Sequence, residues 1–274
     1  LLSLRQGIRT GSPLSGAIVT SSVVFLVTAV VCLFRGSYFD LNLNAVFWFS
    51  ISGCVGQGLG QLLAFTGIER MGVSRASPIQ ASAPIWSVLL AVIFLRETPS
   101  TGVWIGAFCV FVGVAFLSKS REEDSSSGWS WFRGALIFPI LASFCFGMMP
   151  VLTKFGYAYQ ATPLLAINIA FGSASLLLIF FYFLFRSRYE FHIDKRAVGW
   201  FSLAAVTTGL SSMTFWTSLT LGDVSVLMPL SRLAPLWILL WSYLFLKHLE
   251  KITLRVVIGA LLVVSGGFFI LSFK

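Results

Sequence analysis

Residues 56–95, GQGLGQLLAFTGIERMGVSRASPIQASAPIWSVLLAVIFL, decide how this chain is read, because residues 207–246, TTGLSSMTFWTSLTLGDVSVLMPLSRLAPLWILLWSYLFL, lie over them without a gap. Twelve positions are identical. Gly58 meets Gly209, Thr66 meets Thr217, Val73-Ser74 meets Val224-Ser225, Pro78 meets Pro229, Ala83-Pro84 meets Ala234-Pro235, Trp86 meets Trp237 and Phe94-Leu95 meets Phe245-Leu246. After a two-residue insertion Glu97 meets Glu250, Gly106 meets Gly259 and Gly113 meets Gly266. Apolar composition alone does not place proline, glycine and tryptophan at matching intervals, so the chain contains an internal repeat.

Outward from this stretch the sequence reads as nine apolar runs: Pro13 to Phe34, Ala45 to Ile68, Pro78 to Leu95, Thr101 to Ser118, Gly134 to Tyr157, Thr162 to Phe185, Val198 to Leu219, Val224 to Phe245 and Ile252 to Phe273. Each is long enough to cross a hydrocarbon core about 30 Å thick. With no water to satisfy the backbone in lipid, segments of this length span as helices. Transmembrane strands would be about half as long and would alternate polar with apolar residues, which these do not. Connections such as Arg96 to Ser100 are so short that neighbouring spans run antiparallel. The clear linker is SKSREEDSSSGWS, residues 118–130, where charge and serine replace apolar residues. It divides the chain into a first repeat (1–118), a linker (119–130) and a second repeat (131–274). The second repeat has five spans and the first shows four. The absent one is expected before Pro13, where Arg5-Gln6-Gly7 resembles Lys154-Phe155-Gly156. An odd number of spans per repeat sets the two copies in opposite orientations, the inverted-repeat arrangement of secondary transporters with a central site.

Composition agrees. The 274 residues are 57% hydrophobic and 11% charged, with a mean hydropathy of +0.90, whereas soluble domains carry about 25% charged residues. A water-soluble globule is excluded. The net charge of +9 does not mark a nucleic-acid binder, because Lys and Arg lie between the apolar runs rather than in one stripe. Assigned to alternate sides, fourteen fall with the N-terminal tail and the linker; Arg35, Arg96, Lys154 and Lys274 fall opposite, and Arg232 lies inside a run. The positive-inside rule then places the tail before Pro13 in the cytoplasm and Lys274 outside. Cys32, Cys54, Cys109 and Cys145 sit in apolar runs without CxxC spacing, so no disulfide framework or metal site is indicated. The chain begins Leu1-Leu2-Ser3-Leu4-Arg5, with neither an initiating Met nor the regions of a signal peptide, and reads as a fragment.

Ser82-Ala83-Pro84 followed by Phe94-Leu95-Arg96-Glu97, Ile105-Gly106 and Val112-Gly113 carry a resemblance that recurs in the second half. There Leu233-Ala234-Pro235 is followed by Phe245-Leu246, Glu250, Ile258-Gly259 and Ser265-Gly266-Gly267. In this order the chain resembles the drug/metabolite transporter superfamily, specifically its EamA-type members, over nearly its whole length. The resemblance implies two inverted five-helix repeats around a central substrate cavity, with both termini in the cytoplasm, moving metabolites, amino acids or drugs. The expected fold is therefore an all-α polytopic membrane protein whose first repeat lacks its first helix.

Candidate site residues follow from polar and helix-breaking groups inside the runs. Arg232 lies eight residues within a run, where an ionisable group faces a cavity or a partner by default. Two readings stand for it: binding or gating of an anionic substrate, or snorkelling and bonding of carbonyls freed near Pro229 and Pro235. Pro78, Pro84, Pro229 and Pro235 each remove a backbone donor, which marks their helices either as moving, site-lining elements or as statically kinked ones. Gln57 and Gln61, four apart, share a face, as do Thr207, Ser211, Thr214 and Ser218 on the matching helix. The glutamines lean toward a cavity and the hydroxyls toward interhelical glue. Gln80 and Asn168 join as weaker polar candidates. Trp86, Trp216, Trp237 and Trp241 are aromatic walls for a ligand or interfacial anchors. Glu97 and Glu250, at short loops beside cations, read as solvated structural groups.

His192 and His248 lie in charged loops far from any nucleophile motif, and no GxxxxGK[ST] loop occurs. No enzymatic constellation, cofactor or metal is expected. The reading is a multi-pass transporter of a bacterial or archaeal plasma membrane, working by alternating access on a small solute, with membrane lipid around it and a second copy as a candidate partner. Without a membrane-embedded Asp or Glu for proton relay it leans toward efflux or exchange. The alternatives are a lipid-carrier flippase and a non-transporting partner subunit.

Overall fold

The computed structural model describes residues 12–71, 76, 79–119, 135–184, 195–233 and 254–273. Every regular element among them is helical. The first, α1 (Pro13–Phe34), starts where Ser12 Oγ accepts the Ser15 amide at 3.3 Å and Pro13 occupies a position that needs no N–H. It ends where Gly36 takes φ +65°, letting the Gly36 and Ser37 amides fold back onto the carbonyls of Leu33 and Cys32. Asn42 Oδ1 caps α2 (Leu43–Ser52) through the amides of Asn44 and Ala45. From α2 the chain passes without a break into a π-helical stretch, Gly53–Gly60, and then α3 (Gln61–Met71). The run expected from Ala45 to Ile68 is thus a single helical path with a wider-wound middle.

The run expected from Pro78 to Leu95 is interrupted. A turn at Ala81-Ser82 precedes α4 (Ala83–Leu90), which continues as a π-helical Ala91–Leu95 and stops at Arg96, left-handed at φ 54°. There follow α5 (Thr101–Lys119), α6 (Ile137–Tyr157), α7 (Pro163–Leu184) and α8 (Lys195–Leu221). The last elements are α9 (Val224–Leu230), a 3-10 turn (Ser231–Leu233) and α10 (Leu254–Ser272). The Val224 to Phe245 run is a helix only as far as Leu230, and residues 234–245 lie outside the described set, as do linker residues 120–130.

Among the described residues, three helices are long and apolar enough to cross a membrane: Leu14–Phe34, Ile137–Tyr157 and Pro163–Leu184. Shorter apolar helices cover Ala83–Leu95, Thr101–Phe116 and Ile258–Ser272. The 27-residue α8 is longer than any of these, but its hydroxyl-rich stretch from Thr207 to Thr220 lowers its hydropathy.

The chain divides into two compact units, one of residues 1–66 and 148–221, the other of 67–147 and 222–274. Each draws on both halves of the sequence. In the first unit α7 packs against α1, α2, the Gly53–Gly60 stretch and α8. Its core gathers Val24, Phe49, Met149, Ile167, Phe171 and Trp216. Close approach needs small residues: a Cβ on Gly53 would lie 2.0 Å from the Ala170 carbonyl oxygen. In the second unit α5 and α10 lie antiparallel, with Gly106 against Gly266 and Gly113 against Gly259. The Ser100 hydroxyl donates to the Phe273 carbonyl at one end of this pair.

Candidate functional site

Within the first unit the Gly53–Gly60 stretch carries Gln57 and leads into Gln61. Gly53, Gly56, Gly58 and Gly60 are all buried. The missing side chains of Gly53 and Gly58 let α7 close on the helix, and that of Gly56 lets Met149 do so. Gln57 Nε2 donates to the Met149 sulfur at 3.4 Å, a weak acceptor. The Gln61 Oε1 atom is enclosed with no hydrogen-bond partner among the described residues. On the facing side the Cys54 thiol donates to the Ser173 carbonyl at 3.7 Å and the Ser173 hydroxyl donates to the Ser50 carbonyl at 3.1 Å.

Asn168 is 2% exposed and spends its polar atoms on packing. Its Nδ2 donates to the Phe25 carbonyl at 3.0 Å and to Thr28 Oγ1 at 3.1 Å, while Oδ1 accepts the Tyr38 hydroxyl at 2.7 Å. Burial pushes the Tyr38 phenol above its ordinary value. Trp216 is likewise within the core, and its carbonyl accepts the Tyr157 hydroxyl at 3.0 Å. Ser211 is exposed on α8. Of the candidates in this unit, then, Gln57 and Gln61 share a neighbourhood while Asn168 and Trp216 are tied into the packing. An Asn168→Ala substitution is expected to strand the Tyr38 hydroxyl, whereas the Phe25 carbonyl keeps the Thr28 hydroxyl as a donor. The substitution should cost about 1 to 2 kcal/mol, read as a lower thermal midpoint in detergent, with Tyr38→Phe costing less.

In the second unit Ser143, fully buried, links three elements. It accepts the Ser82 hydroxyl at 3.0 Å and the Trp86 indole N–H at 3.2 Å, and donates to the Ile140 carbonyl at 2.8 Å. Trp86 also meets Phe144 edge-on at 5.6 Å. Gln80, half-buried, lies just before this cluster. Pro84 sits in the first turn of α4, where its missing N–H interrupts no ladder, so it opens a helix rather than bending one. Pro229 lies inside α9, and the chain tightens into the 3-10 turn that contains Arg232. Pro78, Pro235, Trp237, Trp241 and the side chain of Arg232 lie outside the described residues.

Sequence reasoning did not find the π-helical windings, the Ser82–Ser143–Trp86 cluster or the partners of Glu97. The Glu97 carboxylate accepts the Val224 amide on one oxygen and the Ser225 amide on the other, both at 2.9 Å, capping α9 from 127 residues away. The recurrence of Gly at 53, 56, 58 and 60 was the available signal for the first, and nothing local marks the other two.

The EamA-like transporter family model matches residues 2–119 and 133–272. An uncharacterized transporter of Archaeoglobus fulgidus is 25% identical over 231 residues, covering 84% of this chain and 77% of that protein. An S-adenosylmethionine uptake transporter of Rickettsia bellii is 28% identical over 88 residues, covering 32% of this chain and 28% of that protein. A crystal structure of a protein matches the fold with a TM-score of 0.76 at 15% identity, covering 97% of this chain and 89% of that one.

Proposed function

Because this chain belongs to the EamA-like transporter family and is a membrane transporter, we propose that it moves a small metabolite, amino acid or drug-like solute by alternating access, in efflux or exchange across the plasma membrane. The architecture behind this reading is a pair of inverted repeats of the five-helix type, the first (residues 1–118) with four helices visible and the second (residues 131–274) with five. The observation that carries it is the pairing of α5 with α10. Gly106 and Gly259 are repeat counterparts, as are Gly113 and Gly266, and the Gly106–Gly266 contact is the image of the Gly113–Gly259 contact under exchange of the repeats. Antiparallel packing of one element against its own repeat is what a two-fold axis in the membrane plane would produce.

Gln57 and Gln61 are proposed to contact the polar part of the solute, with Arg232 as a receiver for an anionic group. Alanine at Arg232 is then expected to abolish stabilisation by organic acids while sparing any by neutral solutes, measured as thermal shift in detergent.

The test of transport is counterflow in proteoliposomes, loaded in turn with amino acids, nucleosides, polyamines, organic acids and S-adenosylmethionine, the last included because a relative carries it by name. At least one class is expected to exchange above empty liposomes. No movement of any class by protein shown to be folded would overturn the reading.

A further inference from the structure

The start of α9 carries two carboxylates suited to one task. Asp223 stands at the N-cap with φ −77° and ψ 145°, and its carbonyl already accepts the amides of Val226 and Leu227 at 3.3 and 3.0 Å. Aspartate is among the best residues for this position, yet its side chain makes no capping bond and the residue is exposed. Glu97 does the capping instead. To deliver it, Arg96 adopts the left-handed backbone at φ 54°, which costs a non-glycine residue free energy, at the end of a π-helical stretch. The distant cap is thus held against local strain, while a local cap stands idle beside it.

We propose that Glu97 and Asp223 are alternative caps of α9, and that exchange between them frees α9 and the break at Pro229–Leu233 from the segment 96–100 that follows the α4 path. Glu97 is then a positioning residue: while it holds the two amides, the start of α9 is fixed to the end of the α4 path. When it lets go, Asp223 takes the Ser225 amide from its own N-cap position, the Val224 amide is released, and the helix keeps its first turn without that tether. A two-state element of this kind is what a conformational cycle draws on. That use rests on the transporter reading; the exchange of caps does not.

The experiment is amide hydrogen exchange on the full chain in detergent micelles, comparing wild type, Glu97→Ala, Asp223→Ala and the double variant. Exchange at Ser225 is expected to be unchanged in Asp223→Ala and to rise little in Glu97→Ala. In the double variant it should rise by about tenfold or more, because only there does that amide lose both acceptors. Amides of α5 and α10 should not change in any of them, which separates local opening from unfolding. Glu97→Gln with Asp223→Asn repeats the comparison with side-chain volume retained. Glu97→Ala opening as far as the double variant, opening in Asp223→Ala alone, or equal exchange in all four proteins would each overturn the exchange. Absence of solute counterflow would bear on the transport reading alone.

Discussion

Gly53→Ala is expected to lower the thermal midpoint of the detergent-solubilised protein by roughly 6 to 12 °C and to broaden its gel-filtration peak, the largest effect of any single glycine-to-alanine change in the first unit. A Cβ at position 53 would lie 2.0 Å from the Ala170 oxygen and 2.4 Å from the Ala170 Cα. Both are backbone atoms of α7, so no rotamer change can make room and the two helices must separate by about an ångström. Separation also stretches the Ser173–Ser50 and Cys54–Ser173 hydrogen bonds that bracket the contact. The neighbouring glycines grade the expectation. At Gly156 the obstacle is the Phe49 ring at 2.3 Å and at Gly56 the Met149 side chain at 2.6 Å; these can shift, the thioether most easily. At Gly209 the nearest atoms are ordinary contacts at 3.7 Å, and at Gly199 there is nothing within 4 Å. Alanine at either is expected to be neutral or to stabilise by about 0.5 to 1 kcal/mol through helix propensity. If Gly53→Ala behaves like Gly209→Ala, the close helix approach does not exist.

The contrast between these glycines also marks what the sequence made readable. The run Pro13 to Phe34 coincides with α1 because its punctuation is local: Ser12 and Pro13 start the helix and Gly36 stops it. The Gly-rich stretch from Gly53 to Gly60 announces close packing, but not the π winding, since the winding depends on which atoms of α7 and Met149 arrive on the other side. Asn168 and Trp216 looked like ligand groups because a polar or aromatic residue in an apolar run has no visible partner. Tyr38, Thr28 and Phe25 supply the partners of Asn168 from 130 or more residues away. Glu97 was legible as a structural loop residue, while the helix it caps was not, because that bond joins positions 97 and 224. The linker at 119–130 separates two repeats along the sequence, and each compact unit draws helices from both sides of it, because α1 finds its partner in α7, and α5 in α10.

That last pair supports the second large effect. Gly106→Ala and Gly266→Ala are each expected to destabilise the second unit by about 2 to 3 kcal/mol, and the double variant by clearly less than their sum. A Cβ on Gly106 would lie 2.5 Å from the Gly266 oxygen, and one on Gly266 would lie 2.7 Å from the Gly106 oxygen. The two clashes oppose each other across one crossing, so the outward shift of α10 that relieves the first relieves the second. The coupling in a double-mutant cycle is therefore expected to be about 1 to 2 kcal/mol in the favourable sense. Seven residues along, about 10 Å up the helix, a Cβ on Gly113 would lie 2.7 Å from the Gly259 oxygen. Because Gly113 and Gly259 are the repeat counterparts of Gly266 and Gly106, the cycle on that pair should show coupling of the same sign. Thermal unfolding of the seven proteins, wild type included, in one detergent measures both cycles. Strictly additive costs in both pairs would mean that the glycines face side chains rather than each other, and would remove the structural support for relating α5 and α10 by the repeat.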